Sequence, residues 1–188
     1  MTLRLAGSTS GYTEIDAPAV AGSNTLVLPT GNGSSQQVLA TNGSGALSWS
    51  NRPILQVVNA TYSTSTSSSS STYSDTGLSA AITPSSSSNK VLIFANITGL
   101  QKVGSDTWLR IKLLRNSTDL IKVEDGAGYN AANTNNWVGA TSTCYLDSPA
   151  TTSSVTYKLQ FASANNSASV VVQSNSSVST ITLMEVAA

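Results

Sequence analysis

The 188-residue chain sets nine Lys and Arg against nine Asp and Glu, holds no histidine and a single cysteine, and is only 10% charged, where about 25% is usual. Zero net charge argues against the basic stripe and high pI by which proteins ordinarily bind nucleic acid, so none is expected as a partner. The missing histidine removes Ser-His-Asp and Cys-His catalysis and His-based metal sites, and a lone Cys144 leaves no internal disulfide.

Residues 1–52 differ in pattern from residues 53–188. No charged residue stands between Ala17 and Asn51. Short apolar pieces around Val20 and from Leu26 to Leu28 are divided by turn residues. Asn42-Gly43, between alternating residues that include Val38, Leu39, Leu47 and Trp49, predicts a hairpin turn. Strands this short, with few large side chains, bury little apolar surface in one copy. The pattern therefore suits a stem in which several copies wrap together.

Arg52-Pro53 marks the boundary, and residues 53–188 read as a series of strands. Ile54 to Asn59 is the first, followed by a Ser/Thr tract at 63–74 and a weaker strand from Thr76 to Ile82. Lys90 to Thr98 turns Val91, Ile93, Ala95 and Ile97 to one face. Trp108 to Arg115 turns Leu109, Ile111 and Leu113 inward and Arg110 and Lys112 outward. Leu120 to Val123 returns after a turn at 116–119, and Gly126 to Asn136 reads as a loop. Trp137 to Leu146 is one more strand. Ser154 to Phe161 points Val155, Tyr157, Leu159 and Phe161 inward. Ala168 to Gln173 and Val178 to Met184 complete the set.

Many strands at short spacing with no helical period predict an all-β chain: a short-stranded N-terminal stem segment, residues 1–52, followed by a jelly-roll-like β-sandwich, residues 53–188. An immunoglobulin-like sandwich is the runner-up, but its Cys…Trp…Cys spacing is missing.

Three features bear on function. Half of the charged residues fall in one stretch: Lys102, Asp106, Arg110, Lys112, Arg115, Asp119, Lys122, Glu124 and Asp125. This cluster is either the solvent face of one hairpin, with weak cross-strand ion pairs, or an interface patch toward a partner. Tyr129 and Trp137 flank an amide-rich segment with Asn133, Asn135 and Asn136, and rings beside amides suit a host glycan. Trp137 also fits a strand-end core position. Glu124-Asp125-Gly126 lacks the ligand spacing of a calcium loop. No metal, cofactor or enzymatic activity is expected, since no pattern sets two carboxylates opposite each other. The Ser/Thr tracts read as solvated loops rather than glycosylated stalk. The longest apolar run, Val91 to Ala95, is far below the ~20 residues of a membrane span, so no membrane insertion is expected. The opening residues lack an apolar signal core, so secretion is not expected.

Several segments resemble fibre and structural proteins of marine and cyanobacterial tailed bacteriophages. In the first part these are Ala6-Gly7-Ser8-Thr9-Ser10-Gly11, the run Ala17 to Pro29, and Gln37 to Trp49. In the second they are Tyr73 to Leu78 with Ile82-Thr83-Pro84, Leu113-Leu114-Arg115-Asn116, Leu146-Asp147-Ser148-Pro149 with Val155 to Gln160, and Ser179 to Glu185. The resemblance implies a virion protein that folds in the host cytoplasm and assembles as a homotrimer. It would dock on other tail or capsid proteins through residues 1–52 and touch a host-surface glycan or protein with a C-terminal knob. It brings no catalytic residues. A capsid or head fibre, or a decoration protein, shares the same features. A secreted carbohydrate-binding module is the alternative from another class.

Overall fold

The computed structural model describes residues 3–16, 18–20, 22–23, 25–35, 37–104, 106–165 and 168–188. Ala17, Ala21 and Asn24 of the run Ala17 to Pro29 lie outside the described residues. The chain divides into two compact units, Met1–Arg52 and Pro53–Ala188.

The first unit is two small hairpins and connecting turns. β1 (Leu3–Ala6) pairs antiparallel with β2 (Tyr12–Ile15), a hairpin that the sequence pattern did not predict. An Arg4–Glu14 ion pair at 3.0 Å and the Arg4 guanidinium 4.0 Å above the Tyr12 ring tie its outer surface. β3 (Gln37–Thr41) pairs with β4 (Leu47–Asn51) around the expected Asn42-Gly43 turn. The Asn42 side chain accepts from the N–H groups of Ser44 (2.8 Å) and Ala46 (3.2 Å), which locks that turn. Among the described residues the Leu26–Leu28 piece forms a single bridge, Val27 to Ala46. Leu3, Leu5, Ile15, Val20, Leu26 and Leu28 all remain exposed.

The second unit is a jelly-roll β-sandwich. Its strands are β5 (Ile54–Tyr62), β6 (Thr66–Ser68), β7 (Ser74–Ile82), β8 (Lys90–Val103) and β9 (Thr107–Arg115). They continue as β10 (Thr118–Asn130), β11 (Asn136–Asp147), β12 (Val155–Ser163), β13 (Ser169–Val172) and β14 (Ser179–Val186). All pairings are antiparallel. One sheet runs β10-β9-β12-β7. In the other, β8 pairs β11 on one side and both β14 and β13 on the other, and these pair β5 and β6. Taking β5 with β6 and β13 with β14 as interrupted single strands, the first strand meets the last, the second meets the second-last, and so inward to the β9–β10 hairpin. That is one long hairpin rolled into two sheets, the jelly-roll order; immunoglobulin topology is excluded.

The core is the set of inward side chains that the alternation marked. Val91, Ile93, Ile97, Leu109, Ile111, Leu113, Tyr157, Phe161, Ile181 and Leu183 have no exposed surface. Two readings need correction. Gly126 to Asn136 is not one loop, because β10 runs on to Asn130 and β11 starts at Asn136. Gly126 and Gly128 sit where the β9–β10 register shifts, so these glycines serve β-bulges inside a strand. The Ser/Thr tract at 63–74 likewise contributes a short edge strand, β6, because β13 offers it a free ladder.

Candidate functional site

Lys102 is the clearest departure from the expected surface cluster. Alternation from Val91 through Ile97 would turn residue 102 outward. Gly99, at φ +61°, inserts a bulge that flips the rest of β8, and a Cβ there would meet the Ser174 N–H nitrogen at 2.5 Å. Lys102 thus points into the end of the sandwich, fully buried. Its ammonium donates to the backbone carbonyls of Asn130 (2.9 Å) and Ala132 (2.8 Å) and to the side-chain oxygen of Asn130. It is a bolt for the β10–β11 turn, not a surface charge. The Asn136 amide donates to the Gly128 carbonyl at 3.1 Å from the other side. Gly128, at φ +78°, has Val138 so close that a Cβ would sit 2.8 Å from it. The exposed residues 131–135, with Asn133 and Asn135 among them, are carried on this hydrogen-bonded base.

The same end separates the two aromatic candidates. Trp137 pairs with Gln101 on the outer face of the β8–β11 sheet and is 55% exposed, so it is not a core residue. Tyr129, also 55% exposed, belongs to the opposite sheet, where its ring meets Trp108 edge-to-face at 5.4 Å and 84°. Trp108 and Tyr129 line an open depression of ≈ 470 Å³ with Asp106 and Gly126. Tyr129 and Trp137 therefore do not form one platform. Trp108 was the missed partner. Its signal was present in the alternation that pointed Arg110 and Lys112 outward, since Trp108 shares their parity.

Four of the remaining charges pair within the β9–β10 sheet. Lys112 pairs with Asp119 at 2.8 Å and Lys122 with Asp125 at 2.6 Å. The Asp125 carboxyl is held below its usual range by Lys122 first and by the Trp108 indole N–H second, and Asp125 in turn raises Lys122. Glu124 accepts from the Asp125 N–H at 3.0 Å. Arg110 donates to the carbonyls of Ser71 (2.8 Å) and Ser163 (3.1 Å), and both it and Lys112 lie over the Tyr73 ring. Arg115 leaves this surface for the sandwich end, where it meets Asp147 at 2.8 Å. Asp106 is exposed at the rim of the aromatic depression. Lys102 thus lies inside and Arg115 at one end, and the rest of the cluster lies on the outer side of this sheet, where the Arg110 Nε is buried without a hydrogen-bond partner.

No protein-family model and no curated protein matches the chain. Among solved structures it is similar to the VP2 subviral particle of infectious bursal disease virus, at TM-score 0.37 and 11% identity over 80% of this chain and 42% of that one. It is also similar to the structure of the Gt strain of that virus (TM-score 0.38, 13% identity, 96% and 46% covered). For the Gx strain the values are 0.40, 15%, 95% and 43%. The chain spans less than half the length of these structures. The jelly-roll order rests on this chain's own strand pairing.

Two buried polar knots complete the second unit. Tyr157 donates to Asp147 at 2.6 Å; burial first, and this carboxylate second, push the phenol far up, so it stays protonated. Glu185, almost fully buried, accepts from the Gln56 amide (2.6 Å), the Asn89 amide (2.6 Å), and the Ser85 N–H (2.7 Å) and hydroxyl (2.8 Å). Burial alone would raise its carboxyl, but these donors outweigh it and the net shift is downward. Both knots fasten strand ends and connections. Among the described residues no three His, Cys, Asp or Glu side chains group as metal ligands. No helix there is long and apolar enough to cross a membrane.

Proposed function

We propose that this chain is a non-enzymatic virion structural protein, a trimeric fibre-like adhesin. Residues 1–52 dock it on the particle and form a shared stem, and the jelly roll of residues 53–188 is the knob that meets the host surface. The observation that carries this reading is the first unit: two small hairpins that leave Leu3, Leu5, Ile15, Leu26 and Leu28 exposed. A single copy has nothing to bury them against within its own hairpins, and a wrapped trimer does. The bulge-bolted end bearing Trp108, Tyr129 and residues 131–135 is the host-facing candidate, since a half-buried and an exposed ring beside exposed amides suit surface glycans. The same features fit a head fibre or decoration protein.

The aromatic depression at Trp108 and Tyr129 also favours a second reading, a monomeric carbohydrate-binding module. Sedimentation of the full chain separates the two: a stable trimer supports the fibre, whereas a stable monomer refutes it. Antibody labelling of intact particles then distinguishes tail from head, and a particle without the protein would overturn the virion reading.

A further inference from the structure

The two outer faces of the sandwich differ sharply in charge. The β10-β9-β12-β7 face carries three ion pairs, Lys112–Asp119, Lys122–Asp125 and Lys158–Asp75. The outer face of the other sheet, from Leu92 to Thr98 of β8 and across its neighbours, carries no charged side chain among the described residues; Lys90 stands at its rim. Across that face one row is apolar on all four strands. Leu146 of β11 pairs with Leu92 of β8, Leu92 with Met184 of β14, and Met184 with Val57 of β5. Leu146 is 47% exposed and Val57 56%. Phe94, also exposed, adjoins the row, and beside it lie Cys144 and a shallow hollow of ≈ 280 Å³ lined otherwise by Ser, Thr, Asn and Ala95. An outward sheet face is normally polar, so a complete apolar row is a departure.

We infer that this uncharged face is where copies of the chain meet, with the Leu146–Leu92–Met184–Val57 row at the dry centre of the contact. The inference deepens the trimer proposed above by naming its knob interface. Three observations select a second copy as the occupant. First, the face is neutral: Ser, Thr and Asn around an apolar row, turned toward a threefold axis, desolvate against neighbouring copies without stranding a charge, whereas the opposite face would bury three ion pairs. Second, the area needs a companion. Four strands ~4.8 Å apart and about nine residues long give roughly 550 Å², short of the ~800 Å² per partner of a stable interface. The exposed apolar side chains of residues 1–52 can supply the remainder in a copy of the same chain. Third, the apolar end belongs to β5, the strand into which residues 1–52 lead along the chain.

The test uses the full chain. Leu146→Asp and Val57→Asp each place a carboxylate in the row at a position exposed in the single copy, so circular dichroism and melting should show an intact fold. Sedimentation should show association weakened by about tenfold or more in each variant. Asp119→Ala on the opposite face should leave association unchanged. Cys144 is a built-in reporter: its reaction with a maleimide should be about tenfold slower in the assembled wild type and recover in Leu146→Asp. Trimers unaffected by either substitution, with Cys144 reacting freely, would overturn this interface while leaving the trimer standing. A monomeric wild-type chain would overturn both.

Discussion

Glu185→Gln is the most informative perturbation of the fold. The carboxylate sits in β14 and accepts four hydrogen bonds, from Gln56, Asn89 and twice from Ser85, which joins three separate stretches of chain. An amide in its place keeps one acceptor oxygen and turns a donor toward groups that are themselves donors. About two charge-assisted bonds are lost, at ~1.5–3 kcal/mol each. Rehydration of Ser85 in its connection returns part of this, for a net loss of roughly 3 kcal/mol. For a unit of this size that lowers Tm by about 10 °C. The pH dependence has a definite sign. The folded-state pKa lies below the ordinary 4.5. The contribution is therefore complete above about pH 4.5 and is lost as pH falls through the lower folded value. Differential scanning calorimetry of both proteins at pH 7 and near pH 3 reads it directly. The wild type should melt about 10 °C higher at pH 7, with the gap closing in acid. A gap below about 2 °C at pH 7, or one unchanged at pH 3, would refute the assignment of this knot as a stabilising anion site.

Leu159→Ala, in the two-sided core contact of β12, should cost about 2–5 kcal/mol by denaturant titration, whereas Gln160→Ala, which loses only an exposed bond to Asp75, should cost well under ~1 kcal/mol; equal costs would show the β12 register to be wrong. Lys102→Met should leave the core intact but free the Asn130 and Ala132 carbonyls, so amide hydrogen exchange at 130–135 should quicken about tenfold while that of β12 stays unchanged. Between about pH 5.5 and 8 neither melting nor assembly should show a transition, since the chain has no histidine and the shifts at Asp75, Asp125, Glu185, Lys122 and Tyr157 all move those groups away from that window; a step near pH 6.5 in a melting series would contradict this.

Residues with a local cause were legible in the sequence. The inward sets of β8, β9 and β12 followed from alternation alone, because a period of two leaves each side chain only one of two faces. The β3–β4 hairpin followed from Asn42-Gly43, whose backbone freedom is a property of those residues themselves. The charged stretch was visible too, and most of it does lie on a solvent face.

Tertiary structure alone decided what depends on partners distant in the chain. The bulge at Gly99 reverses parity part-way along β8, so a residue that alternation assigns to water becomes the buried Lys102; the β8–β11 register skips that glycine, and the Ser174 backbone leaves no room there for a side chain. Gly126 and Gly128 read as loop because glycine permits loop and bulge alike, and the choice belongs to the β9 register opposite. Tyr129 and Trp137 are eight positions apart yet on different sheets, since the turn between them passes from one layer to the other. The apolar row Leu146–Leu92–Met184–Val57 draws one residue from each of four strands. Each looks like an ordinary surface apolar residue by itself, and only the jelly-roll pairing sets them side by side.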